Sequence, residues 1–163
     1  MLLWFELIVL CLLLFLICYL GTGSDEKNIR NSSFRCYPDE VQRMVRENPA
    51  WKDKIRTTPS AVTFLSNLLL FGALLLLCGV FIRTDSFSGN FFNLLILGQG
   101  LNAFDFFVID LLWWRNTKRV RLTGTEDRAD LYRDPRKHFV SFLRGIVLFL
   151  AIAVIDGWVL SLF

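Results

Sequence analysis

Four long apolar runs alternate with two polar stretches along the chain, and that alternation predicts its elements. Leu2 to Leu20 is apolar except for Glu6, and about 20 apolar residues are what an α-helix needs to cross a bilayer. Ala61 to Ile82 is a second such run, with Ser66 and Asn67 as its polar residues. The third is Phe91 to Trp114 and the fourth runs from about Gly145 to Phe163. The expected fold is all-α, an integral membrane protein of four transmembrane helices arranged as two hairpins. Residues 1–163 form a single domain on this reading, with spans at about 2–20, 61–82, 91–114 and 145–163. The first run is expected to stay as a helix rather than be cleaved as a signal, because no Lys or Arg precedes it and its apolar core is longer than a signal core.

The polar segments 21–60 and 115–144 carry their own local patterns. Gly21-Thr22-Gly23-Ser24 breaks the first helix, since glycine removes helical preference and frees the backbone to turn. Pro38 to Asn48 predicts a short helix with Pro38 at its first position, Asp39 and Glu40 at the positive end of its dipole, and Val41, Met44 and Val45 on one side. Trp51 and Ile55, among Lys52, Lys54 and Arg56, suit either a membrane surface or packing against the protein itself. Thr123 with Glu126 three residues on has the form of a capping box and predicts a short helix over roughly 124–133. Asp134 followed by Pro135 predicts the approach to the fourth span.

Charge gives the topology. Of 18 Lys and Arg, eight fall in 21–60 and eight in 115–138, leaving only Arg83 and Arg144. Basic loops stay on the cytoplasmic side, so both segments are expected there, and both termini and the 84–90 turn on the other face of the cell membrane. The expected partners of this basic face are anionic lipid headgroups. Nucleic acid is not expected, because no stacking or groove-binding motif accompanies the net +3 charge. The same topology counts against Asn31-Ser32-Ser33 as a glycosylation acceptor.

Within the third run, Gln99, Asn102 and Asp105 are costly in hydrocarbon unless something answers them. At 100° per residue Asn102 and Asp105 share a face with Gly98, with Gln99 and Asp110 on the adjoining flank, an arc of roughly 140°. From the predicted span midpoints, Asp105 lies roughly 4 Å to the cytoplasmic side and Asp156 roughly 3 Å to the outer side. Gln99, Asn102, Asp105 and Asp156 are therefore the candidate intramembrane site. Each serves either as an interhelical hydrogen bond or as a proton- or ligand-binding group. Nearer the headgroups, Asp110, Arg115, Glu126, Asp127 and His138 form a second candidate set, in which Asp110 would pair with Arg115 or Arg144.

Other chemistry is excluded by what is missing. There is no phosphate-binding loop, no GxSxG and no HExxH, and His138 lacks a second ligand at helical spacing, so neither metal nor cofactor is expected. Cys11, Cys18, Cys36 and Cys78 contain no CxxC pair and are expected as buried small side chains.

The stretches FDFFVIDLLWW, KRVRLTGTED and YRDPRKH, with GTGSDEK and YPDEVQ earlier in the chain, resemble a family of small, mostly uncharacterised bacterial four-span membrane proteins. Some of that family are labelled transporter permease-like. The resemblance covers most of the chain and implies a transport association without a defined activity. Two function classes follow. The first is a transport-associated or accessory membrane subunit, forming a homo-oligomer or part of a larger membrane complex because four helices are few for a transport path. The second is a membrane-embedded enzyme acting on a lipid or isoprenoid substrate at the cytoplasmic leaflet, using Asp110, Glu126, Asp127 and His138.

Overall fold

A computed structural model describes every residue except Asn31, Arg56, Thr57 and Phe163, together with the side chains other than those of Arg30, Ser32 and Ser33. The glycosylation-like Asn31 thus lies outside the described residues. Among the described residues there are helices and turns and no strand. The elements are α1 (Leu2–Leu20), α2 (Asp25–Arg30), α3 (Asp39–Glu47), α4 (Ser60–Phe81), α5 (Phe87–Phe104, running on as a π-helix over Asp105–Trp114) and α6 (Arg136–Leu160). Four helical stretches, beginning at Leu2, Ser60, Phe87 and Leu131, are long and apolar enough to cross a membrane.

The core of the bundle is built on α5 and α6, which make the most extensive contact, with α4 packed on both and α1 on α5. Leu75, Leu94, Leu97, Leu101, Ile152 and Ala153 are fully buried at their centre. The outward faces of all four long helices are lined with exposed Leu, Ile, Val and Phe, the pattern of helices that turn their apolar surface to lipid. Small residues let the backbones approach. A side chain at Gly98 would meet the Phe149 ring at 2.7 Å, and one at Gly157 would meet the Phe91 backbone at 3.1 Å.

Both polar segments fold together over one end of this bundle. Ile29, Phe34, Tyr37, Val41, Val45, Val120, Leu122 and Tyr132 form a second apolar core closed by Trp114 from the end of α5. Several of its buried polar groups are paired across the two segments. Tyr37 donates to the Val120 carbonyl at 2.8 Å, Asn28 donates to the Arg119 carbonyl at 2.9 Å, and Tyr132 Oη accepts from the Leu122 amide at 3.1 Å. Burial, with the neighbouring Tyr132, Asp25 and Cys36, pushes the Tyr37 phenol above its usual range. Arg119 ties this cap to the bundle by donating to the carbonyls of Tyr19, in the last turn of α1, and Thr22 just past it, its guanidinium 4.0 Å from the Tyr19 ring centroid.

Several local expectations are corrected. The third long helix starts at Phe87, four residues early, because Ser86 caps it by accepting from the Gly89 amide. The fourth starts at Arg136, so the residues read as a lead-in belong to the helix itself. The capping box forms no α-helix: Glu126 accepts from the Gly124 amide instead, Gly124 turns the chain at φ +88°, and only a 3₁₀ turn at Leu131–Arg133 follows. Pro38 and Pro135 precede their helices rather than occupying the first turn. Trp51 and Ile55 pack on the cap core, with Lys54 over the indole.

Candidate functional site

The third span changes character at Asp105. From there to Trp114 the backbone is π-helical, with hydrogen bonds reaching i+5 rather than i+4. In an α-helix residues 105 and 110 would be about 140° apart; in this wider turn, of about 4.4 residues, the angle between them falls to roughly 50°. Asp105 and Asp110 therefore come to the same side, where both carboxylates act electrostatically on Cys18 of α1 and Cys36 of the cap.

The two acids have different surroundings. Asp110 Oδ1 lies 2.9 Å from Nδ1 of His138, which is buried on the first turn of α6 with its ring against Trp114. This replaces the expected pairing of Asp110 with Arg115 or Arg144. The reason is antiparallel register: Asp110 is near the end of one helix and His138 near the start of the next, so they meet at equal depth. Asp105 has no hydrogen-bond or ion-pair partner among the described residues. It opens instead on a cleft of about 360 Å³ bounded by all four long helices and the cap. Asn67 and Thr63 of α4, Asn102 beside Asp105, Ser141 and Arg144 of α6, and Arg35 and Cys36 of the cap supply its polar wall.

The remaining candidates divide between structure and site. Asn102 donates to the Phe142 carbonyl at 3.2 Å and Gln99 to the Ile146 carbonyl at 3.0 Å, so both spend their amides on α6 rather than on Asp105. Asn102 packs against Gly145, where an added side chain would come within 2.1 Å of its oxygen. Asp156 does not belong to this site. Because α6 begins at Arg136, Asp156 is well past the helix middle, eleven residues or roughly 16 Å along the axis from Gly145. It is buried with Oδ2 unpartnered among the described residues. Glu126 and Asp127 are exposed in the loop and do not converge with Asp110 and His138. Among the described residues no cluster of His, Cys, Asp and Glu could hold a metal.

Cys36 and Arg35 are site residues that the sequence pattern passed over, and it marks Arg144 only as a partner for Asp110. The Cys36 thiol is 3.8 Å from the Ser141 hydroxyl. Burial first, then the charges of Asp110 and Asp105, raise its pKa above the ordinary range; the Ser141 contact and the Lys137 ammonium work the other way. No local signal marks Cys36, since its place is set by contacts across 105 residues. Fold and site together define a helical protein with four candidate membrane spans among the described residues, a folded polar cap and a charged cleft between them. Comparison with protein-family models, with curated proteins and with solved structures finds no match.

Proposed function

We propose that the chain is a transport-associated or accessory subunit of the cell membrane, working as a homo-oligomer or within a larger membrane complex, with Asp105 as its operative group. In this reading the spans form two hairpins, the cap lies in the cytoplasm against anionic headgroups, and both termini face out. The observation that carries the proposal is an ionisable carboxyl on a long apolar helix that faces a cleft and has no partner among the described residues. Such a group is expensive in the absence of a ligand, a proton or water to answer it. The resemblance to four-span permease-like proteins supports the same class. The enzyme reading has less behind it, because none of Asp110, Glu126, Asp127 and His138 lines the cleft and Glu126 and Asp127 are exposed in the loop.

The test is Asp105→Asn in the full chain, expressed in a strain lacking the native copy. The variant is expected to elute and melt like the wild type while failing to restore the transport-dependent growth or uptake defect. Full restoration by a normally folded Asp105→Asn chain would overturn the assignment.

A further inference from the structure

The cleft holds both signs of charge and an apolar wall. Its lining includes Arg35 and Arg144, and neither side chain has an ion-pair or hydrogen-bond partner among the described residues. Asp105 belongs to the same lining and is likewise unpaired among the described residues, so groups of opposite charge border one cavity without forming an ion pair. Phe64, Phe71 and Phe149 add an apolar part to the lining, and the last two belong to the core of the bundle. A single ligand that answered every part of this wall would carry an anion for the arginines, a cation for the carboxylate, and a hydrocarbon body for the phenylalanines. A volume of about 360 Å³ admits a headgroup and the first part of a chain, and lies within the range of small-molecule sites.

We infer that the cleft binds a lipid whose headgroup joins a phosphodiester to a primary ammonium, with the phosphate on Arg144 and Arg35 and the ammonium at Asp105. Arginine suits the phosphate because its fork of donors can bind two oxygens at once. A carboxylate distinguishes a primary ammonium, which donates hydrogen bonds, from a trimethylated one, which cannot. Because Arg35 and Cys36 belong to the cap and Asp105 to a long apolar helix, the cleft runs inward from the boundary between the polar segments and the bundle, and the head would enter it from there. The inference rests on the cleft being the working site.

Cys36 supplies the readout. In the full chain with Cys11, Cys18 and Cys78 replaced by Ala, reconstituted in nanodiscs, the rate of maleimide modification reports occupancy of the cleft. Nanodiscs containing phosphatidylethanolamine are expected to slow modification about tenfold relative to phosphatidylglycerol or phosphatidylcholine, a difference one good charge-assisted contact can supply. Arg144→Gln is expected to remove the protection. Asp105→Asn is expected to erase the preference for phosphatidylethanolamine over phosphatidylglycerol, each rate being compared with the same variant in phosphatidylcholine, while Asp156→Asn leaves it intact. Equal protection by phosphatidylglycerol in the wild type, or a preference that survives Asp105→Asn, would overturn the inference. Equal protection by free phosphoethanolamine in phosphatidylcholine discs would keep the head chemistry and overturn the lipid source. If Asp105→Asn loses the growth phenotype but keeps the lipid preference, the proposed function stands and the lipid assignment falls. The reverse result separates them the other way.

Discussion

Asp105 and Asp110 are the same residue type on the same helix, five positions apart, and their neighbours give them different roles. Asp110 is answered by His138, whereas Asp105 is left to the cleft and acts through space on Cys36. That action predicts a pH effect. The Cys36 thiol is held up by burial and by negative charge, so at pH 8 less of it is thiolate than in a free cysteine, and its alkylation rate should still be climbing above pH 9. Asp105→Asn removes one of the charges that raise it and should move the rate profile to lower pH. Lys137→Gln removes a charge that lowers it and should move the profile to higher pH. Alkylation of the single-cysteine chain in phosphatidylcholine discs across pH 7–10 measures both, and a profile insensitive to Asp105 would show that the two groups are not coupled.

Between elements, the contact of α5 with α6 depends on missing side chains. Gly145 is the floor beneath Asn102, and even a methyl group there would fall 2.1 Å from the Asn102 oxygen. Gly145→Ala should therefore either drive Asn102 off the Phe142 carbonyl or separate the helices, at a cost of about 1–3 kcal/mol. Thermal unfolding in detergent should show the loss. Asn102→Ala should relieve it, so that Gly145→Ala costs much less in that background, and additive losses would mean the two residues do not press on each other. In the cap, Tyr132→Phe leaves the buried Leu122 amide without its acceptor. The expected cost is about 1–3 kcal/mol, read as earlier proteolysis within 115–135, while the long helices keep their circular dichroism.

At the level of the whole molecule, the cap is a folded part rather than a pair of loops. Tyr37, Trp114 and Tyr132 are stacked edge to face, and Asp25 accepts from the Thr123 amide across the two segments. Lys137 at the start of α6 reaches Asp39 at the start of α3, which fastens the cap to the helix that also carries Arg144 and Ser141. The cleft therefore has one wall from each part of the molecule, and a shift of the cap would change its width. This is why Cys36, a cap residue, can report on a site whose acid lies on a long apolar helix.

The apolar runs, their spacing and the clustering of Lys and Arg were readable directly, because length and hydropathy are properties of consecutive residues and a bilayer imposes both. The break at Gly21, the short helix after Pro38 and the cost of Asp105 were legible for the same local reasons. What tertiary structure alone decided is which polar group meets which. The π-helical turn moved Asp110 onto the side of Asp105, a change that a fixed 100° step could not anticipate. The early start of α6 brought His138 to Asp110 and carried Asp156 away from the middle of its helix. Packing across sequence separations of 40 to 105 residues committed Asn102 to a carbonyl and set Cys36 beside Ser141. Local sequence states the cost of a polar side chain in an apolar helix, but only the neighbouring helix determines whether that cost is met by a hydrogen bond or left open to a ligand.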